Sequence, residues 1–392
     1  MSRRAFVLPL ALLLQLCCFA AQPPASRNVD LTATDGTKLK ATYFAAAKPG
    51  PGLLLLHQCN RDRKMWDNLA PQLAAAGINV MTLDFRGFGE SEGTAAFKLP
   101  PQEGQKLVDE KWPGDVDLAY QYLISQPGVN KTVIGAGGAS CGVNQSIQLA
   151  RRHPEVKSLV LLSGPTNRNG RMFLKSAKRL PLFGSAADDD AGAVEEMEWI
   201  LSTSPNPANT FQHYPNGGHG IEMFGPHPEL TKLIVDWFDT TLIKTPGRAP
   251  ANPKPQFRQN KVMSELDEPG GTAKVADQLT KAREKDPKAV IFSETLVNLL
   301  GYEHLQTGDN SGAIEIFKLN VSAFPKSPNT YDSLADAYVA AGQNDLAIQN
   351  AKTALQLLEG DTTDPEARRQ GIRDSAEQKL KQLNADTNAK NQ

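Results

Sequence analysis

The sequence predicts an α/β chain in which a doubly wound, mostly parallel sheet precedes a C-terminal all-α domain of helical repeats. Three observations predict it. Residues 29–242 alternate apolar strand-like runs with amphipathic helical ones, the pattern of a parallel sheet covered by helices. Residues 245–269 shift to Pro, Lys, Asn and Gln with no periodicity. Beyond them the pattern is helical, with equivalent positions 34 residues apart.

Taken in order, the first element is an apolar run from Ala5 to Ala21 that follows Arg3 and Arg4 and ends in small residues. This is the layout of a secretory signal peptide, with cleavage expected after Ala20. The run is shorter than the roughly 20 residues that span a bilayer, so no membrane span is expected after cleavage. Leu16 is bulky where lipid attachment wants a small residue, which argues against anchoring through Cys17 or Cys18. The expectation is therefore export to a periplasmic or secreted location. Loss of residues 1–20 leaves 40 basic against 43 acidic residues and two cysteines, Cys59 and Cys141. With near-zero net charge and no basic stripe, nucleic-acid binding is not expected.

The domain at 27–244 opens with two alternating runs, Val29 to Thr34 and Lys38 to Phe44, around Asp35-Gly36, a strong hairpin dipeptide. Buried strands are predicted at Leu53 to Leu56, Asn79 to Leu83, Lys131 to Ile134 and Ser158 to Leu162. In doubly wound sheets ligands bind outside the carboxyl ends of the strands, so the loops there are where chemistry belongs.

The strongest motif is Gly138-Ala139-Ser140-Cys141-Gly142, placed between the strand at Val133-Ile134 and the helical run Gln145 to Arg152. Strand, tight turn and helix make this a nucleophile elbow, in which serine sits strained and its neighbours must be Gly because a β-carbon would strike backbone. Ser140 is the candidate nucleophile. The candidate base is His219, set between glycines in Asn216-Gly217-Gly218-His219-Gly220 just before the helix Pro228 to Thr240. An acid should fall between serine and histidine in chain order, and Asp188-Asp189-Asp190 follows a predicted strand at Leu180 to Phe183. Only one of three consecutive carboxylates can meet the imidazole, while the others face solvent or cap the helix near Ala193.

Leu53-Leu54-Leu55-Leu56-His57-Gln58-Cys59-Asn60 is a strand running into a polar loop, and Asp84-x-Arg86-Gly87-x-Gly89-x-Ser91 follows the next strand. Hairpin, His-led loop, D-x-R-G-x-G-x-S and elbow, in that order, resemble the α/β-hydrolase family, nearest to dienelactone-hydrolase-like serine esterases. The resemblance covers 29–242 and implies an esterase with an acyl-enzyme intermediate. Its S-A-x-x-D spacing implies Asp189 as the acid, with Asp188 second, beside His219 and Ser140. It places the two oxyanion-hole amides at Cys59 and Cys141. The departure is Gln58, where relatives often carry Gly, and His57 is assigned a structural place at the strand end. The short span from Ser163 to Leu180 leaves no room for a helical cap. No metal and no cofactor are expected. If the two hole-forming loops converge, Cys59 and Cys141 come within disulfide range.

The stretch 245–269 reads as a linker, so a chain ending near Thr245 is expected to fold alone. In 270–392, Gly308 and Gly342, Ala313 and Ala347, and Ile314 and Ile348 each stand 34 apart. Period and turn resemble tetratricopeptide repeats. Two repeats, near 294–327 and 328–361, with capping helices on either side, imply a module for protein docking or dimerisation. The function expected is hydrolysis of small-molecule or polymer esters; the alternative is an inactive hydrolase-fold scaffold whose repeats bind protein.

Overall fold

The computed structural model describes residues 26–251, 257–362 and 364–390. The predicted signal peptide at 1–20 lies outside them, as does part of the Pro-rich stretch. Among the described residues one sheet has eight strands: β1 Ser26–Thr32, β2 Lys38–Phe44, β3 Gly50–Leu56, β4 Asn79–Leu83, β5 Val129–Ala139, β6 Val156–Leu162, β7 Leu182–Ala187 and β8 Thr210–Tyr214. Their order is β1-β2-β4-β3-β5-β6-β7-β8. The hairpin β1–β2 is antiparallel and joins β4 antiparallel, while every pair from β4 to β8 is parallel. This mostly parallel α/β sheet is the architecture the patterning predicts.

The helices α1 Leu69–Ala75, α2 Pro101–Lys106, α3 Trp112–Ser125, α4 Cys141–Arg152, α5 Arg168–Ser176, α6 Ala193–Thr203 and α7 Glu229–Phe238 accompany it. Strand β3 shows why both faces are covered. Its side chains alternate between faces, with Leu54 and Leu56 in a core shared with Val116 of α3 and Val143 of α4. Leu53 and Leu55 lie in a second core with Leu73 of α1 and Ile234 of α7. A four-leucine run is thus a strand buried on both sides.

The Asp-x-Arg-Gly motif after β4 ties loops together. Buried Asp84 pairs with buried Arg63, accepts the Arg63 N–H at 2.6 Å and the Glu90 N–H at 2.9 Å. Arg86 donates to both carboxylate oxygens of Asp115 at 2.6 Å and reaches Asp35 of the hairpin turn at 2.8 Å. These bonds fix the loop after β3 and the loop after β4 side by side, at the carboxyl ends of their strands.

The C-terminal region holds α8 Lys261–Leu266, α9 Gly271–Lys285, α10 Glu294–Gln306, α11 Asn310–Ala323, α12 Pro328–Ala340, α13 Asn344–Leu358 and α14 Glu366–Lys390. The pairs α10–α11 and α12–α13 have the same layout: Gly308 and Gly342, 34 apart, both follow the first helix of a pair at φ +79° and +70°, the left-handed turn glycine favours. The stretch read as a linker is packed at its far end. Met263 and Leu266 of α8 are buried in an apolar cluster that includes Trp199 of α6, so the helices adhere to the sheet domain rather than trailing from it.

Candidate active site

Ser140 stands between the end of β5 and the start of α4 at φ 52°, ψ −117°, a backbone conformation that costs a side-chain-bearing residue energy and persists only where its surroundings enforce it. The enforcement is visible. A β-carbon on Gly138 would lie 2.1 Å from the Gly142 carbonyl oxygen, and one on Gly142 would lie 2.4 Å from that of Leu56. Both glycines of the motif are therefore required by contact with backbone. The Ser140 N–H is tied to the Leu162 carbonyl at 2.9 Å, which anchors the turn on β6.

His219 lies in the loop after β8, and its Nδ1 is 2.7 Å from Asp190 Oδ2. The aspartate on the imidazole is thus Asp190, not the Asp189 that the S-A-x-x-D spacing implies. Each of the three aspartates has its own partner: Asp188 meets His213 Nε2 at 2.8 Å, and Asp189 accepts the N–H groups of Gly217 and Gly218 at 3.0 and 2.9 Å. Those two amides hold the Asp189 carboxyl below the usual carboxylate range. The physical reason is the turn. The Asp190 N–H returns to the Ala187 carbonyl at 3.2 Å, and this tight reversal brings the third aspartate, rather than the second, onto the imidazole while the second braces the histidine loop. The bond from Asp190 raises the His219 pKa above its ordinary value against a lesser opposing effect of burial.

Glu196, one turn into α6, adds a further carboxyl group. Burial, and then repulsion from Asp190, push its carboxyl up to about 7.

The loop after β3 shows how an amide is aimed. Phe85 N–H donates to His57 Nε2 at 3.0 Å, so Nε2 is the acceptor and Nδ1 carries the proton. Nδ1 then donates to the Gln58 carbonyl at 2.7 Å, which also accepts the Arg61 N–H at 3.1 Å. In a trans peptide C=O and N–H point opposite ways, so pinning the Gln58 oxygen directs the Cys59 N–H away from it. His57 is fully buried and desolvation lowers its pKa, which keeps the ring neutral in this role. The Cys141 N–H is at the first position of α4, one of the donors a helix leaves without an internal partner.

Cys59 and Cys141 are joined by a disulfide, with Cα atoms 5.7 Å apart. The convergence expected of the loops after β3 and β5 is thus present. Gln58, the departure from the resemblance, has a function that the sequence did not announce. Its Oε1 accepts the Ile221 N–H at 2.9 Å and its Nε2 donates to Asn60 at 2.7 Å, stitching this loop to the histidine loop. A β-carbon on Gly220 would meet that same Oε1 at 2.4 Å and the Ala139 β-carbon at 3.3 Å, so the histidine loop rests on the residue preceding Ser140. Among the described residues His219 and Ser140 are not hydrogen-bonded to each other; in unliganded sites such bonds are often long and tighten with substrate.

Beside the disulfide a cavity of about 550 Å³ is lined by Asn60, Arg61, Met65, Phe88, Phe97 and Ile221. Between β6 and β7 there is the single helix α5, so no cap covers this opening from that connection. Among the described residues no group of three or more His, Cys, Asp or Glu is placed to hold a metal ion, and no helix is long and apolar enough to cross a membrane.

A family model described as alpha/beta hydrolase fold matches residues 51–195, from β3 into α6, and the sheet domain that holds them has that fold. The uncharacterized protein Rv2307c of Mycobacterium tuberculosis is 30% identical over 142 residues, 36% of this chain and 46% of the relative. Thiohydrolase aneE of Aspergillus aculeatus is 33% identical over 114 residues, 29% of this chain and 33% of that protein. The chain thus spans about half or less of the length of these curated relatives. Among solved structures, the Pyrococcus furiosus esterase Pf2001 is similar at TM-score 0.46 and 19% identity, covering 55% of this chain and 93% of that one. A dienelactone hydrolase from Anabaena variabilis is similar at TM-score 0.44 and 19% identity, covering 56% and 99%.

Proposed function

We propose that the protein is an exported serine hydrolase that cleaves carboxylic esters through an acyl-enzyme. The observation that carries the reading is the strained Ser140 at the strand–helix turn, together with a histidine on the adjoining loop whose far nitrogen is held by a carboxylate. In this reading His219 takes the Ser140 proton through Nε2, Ser140 Oγ attacks the carbonyl carbon, and Asp190 orients the ring and stabilises the imidazolium. The N–H groups of Cys59 and Cys141 receive the oxyanion. The imidazolium then protonates the leaving alcohol, and water, deprotonated by the same histidine, releases the acid. Export is supported by the Arg-led apolar run at 5–21 and by the disulfide, a bond that persists in oxidising compartments. The matching layout of α10–α11 and α12–α13 supports the reading of the C-terminal helices as tetratricopeptide-like repeats, and docking or dimerisation through them as a second role.

The test is turnover of p-nitrophenyl esters and matched thioesters of graded acyl length by the mature chain and by Ser140→Ala. Turnover lost in the variant supports the reading. Turnover retained overturns it.

A further inference from the structure

We propose that the C-terminal helices are part of the catalytic apparatus, holding α6 from its outer side and thereby holding Asp190 on His219, with Trp199 and Arg171 as the positioning residues. The proposal rests on the Asp190–His219 pairing in the reading above.

Asp190 is not on a strand. Its carbonyl accepts the N–H of Ala193, the first residue of α6, at 3.0 Å, so the placement of α6 sets the placement of the acid turn. The inner face of α6, with Met197, Ile200 and Leu201, packs in the core of the sheet domain. Its outer face does not end in solvent. Trp199 is 2% exposed and belongs to an apolar cluster otherwise drawn from the C-terminal helices, with Met263, Leu266, Leu296 and Leu300 among its members. Its neighbour Glu198 accepts the N–H and Nε of Arg258 at 3.1 and 3.0 Å.

Arg171 of α5 locks the arrangement. Its guanidinium carbon lies 4.1 Å from the centre of the Trp199 ring. Nε and Nη2 donate to the two oxygens of Asp267 at 2.7 and 2.8 Å. Nη1 and Nη2 donate to Glu303 of α10 at 2.9 and 2.7 Å, and Nη1 also reaches the Thr166 carbonyl at 2.7 Å. All five N–H donors of the side chain are thus engaged, at 1% exposure. Helix α10 also touches the acid turn: a β-carbon on Gly192, which stands at φ +84°, would lie 3.1 Å from Thr295 Cγ2. A chain cut near Thr245 would strip Trp199 of its packing and leave Arg171 without either carboxylate.

The test uses the full chain and three variants, Trp199→Ala, Trp199→Phe and Glu303→Gln. A buttress that lets the acid drift should lower kcat about tenfold to a hundredfold, the scale of a displacement near 1 Å, with KM little changed and with Trp199→Phe retaining most activity. Because Asp190 is what raises the His219 pKa, the ring titration followed by NMR should move down toward its ordinary value. Global loosening alone would not move it. A lowered melting point with kcat and the His219 titration unchanged overturns the proposal. If Trp199→Ala does not fold, the other two variants decide. If His219 titrates lower in the variants but no form of the protein turns over esters, the support is right and the esterase reading has failed.

Discussion

Removing the Cys59–Cys141 bridge should cost both stability and rate, and the two losses can be separated. The bridge closes a loop of 82 residues, for which restriction of the unfolded chain gives on the order of 4 kcal/mol. For a domain of this size each kcal/mol moves Tm by roughly 2–4 °C, so the double variant Cys59→Ala/Cys141→Ala should melt roughly 8–16 °C lower. Both amides of the proposed oxyanion hole survive the substitution, because each donor is backbone. Their spacing is no longer clamped, however, and Cys59 keeps only the His57-pinned peptide and the Gln58 stitch to aim it. Deleting one donor outright costs about a hundredfold to a thousandfold in kcat. Loosening the pair should therefore cost about tenfold to a hundredfold. Ester hydrolysis well below the lowered Tm, for the variant and for the wild type with and without reductant, gives the rate effect; thermal melts give the stability effect. If Tm falls as expected while kcat is unchanged, the bridge is a staple and does not organise the hole. If neither changes, and alkylation finds two thiols in the denatured, unreduced protein, the bridge does not form.

Three further outcomes are expected. Asp190→Asn should lower kcat by about four orders of magnitude, the cost of losing a triad acid, whereas Asp189→Asn should act mainly by loosening the Gly217–Gly218 turn and Asp188→Asn should be nearly silent; kinetics on the three variants rank them, and a larger loss in Asp189→Asn would make Asp189 the acid. Glu196 is raised from 4.5 to about 7 in the fold, so folding takes up its proton and stability should decline as pH rises through that window; urea melts across pH 4–8 should show Glu196→Gln flattening the decline, and an unchanged slope refutes this account of Glu196. Gln58→Ala should free the histidine loop from the loop after β3 and lower kcat more than it lowers Tm, which paired kinetic and melting measurements check.

Much of this was legible because it rests on short-range constraints. The run Leu53 to Leu56 is the continuous apolar pattern typical of a parallel strand buried on both faces, and glycines flank Ser140 where backbone comes within 2.1 to 2.4 Å. The 34-residue spacing of Gly308 and Gly342 reports two equivalent left-handed turns. What could not be read depends on turn geometry or on distant partners. Asp188, Asp189 and Asp190 are chemically identical, and which one meets His219 depends on one reversal closed by the Ala187 carbonyl. Strand β8, Thr210-Phe211-Gln212-His213-Tyr214, is invisible to the patterning: only Phe211 and Tyr214 are buried, so it carries neither an apolar run nor a clean alternation. The adherence of α8 and α10 to α6 was hidden because proline-rich composition signals a linker, whereas Trp199 and Arg171 find their partners 64 to 132 positions further along the chain.

The most direct measurement of the central claim is covalent labelling by a fluorophosphonate, read by intact mass and peptide mapping. The account predicts one adduct per chain, on the peptide containing Ser140, that is lost in Ser140→Ala and slowed by several orders of magnitude in His219→Ala, while both variants melt within a few degrees of the wild type, as expected for groups whose role is chemical. An unlabelled wild-type protein, or a label that persists in Ser140→Ala, would contradict it.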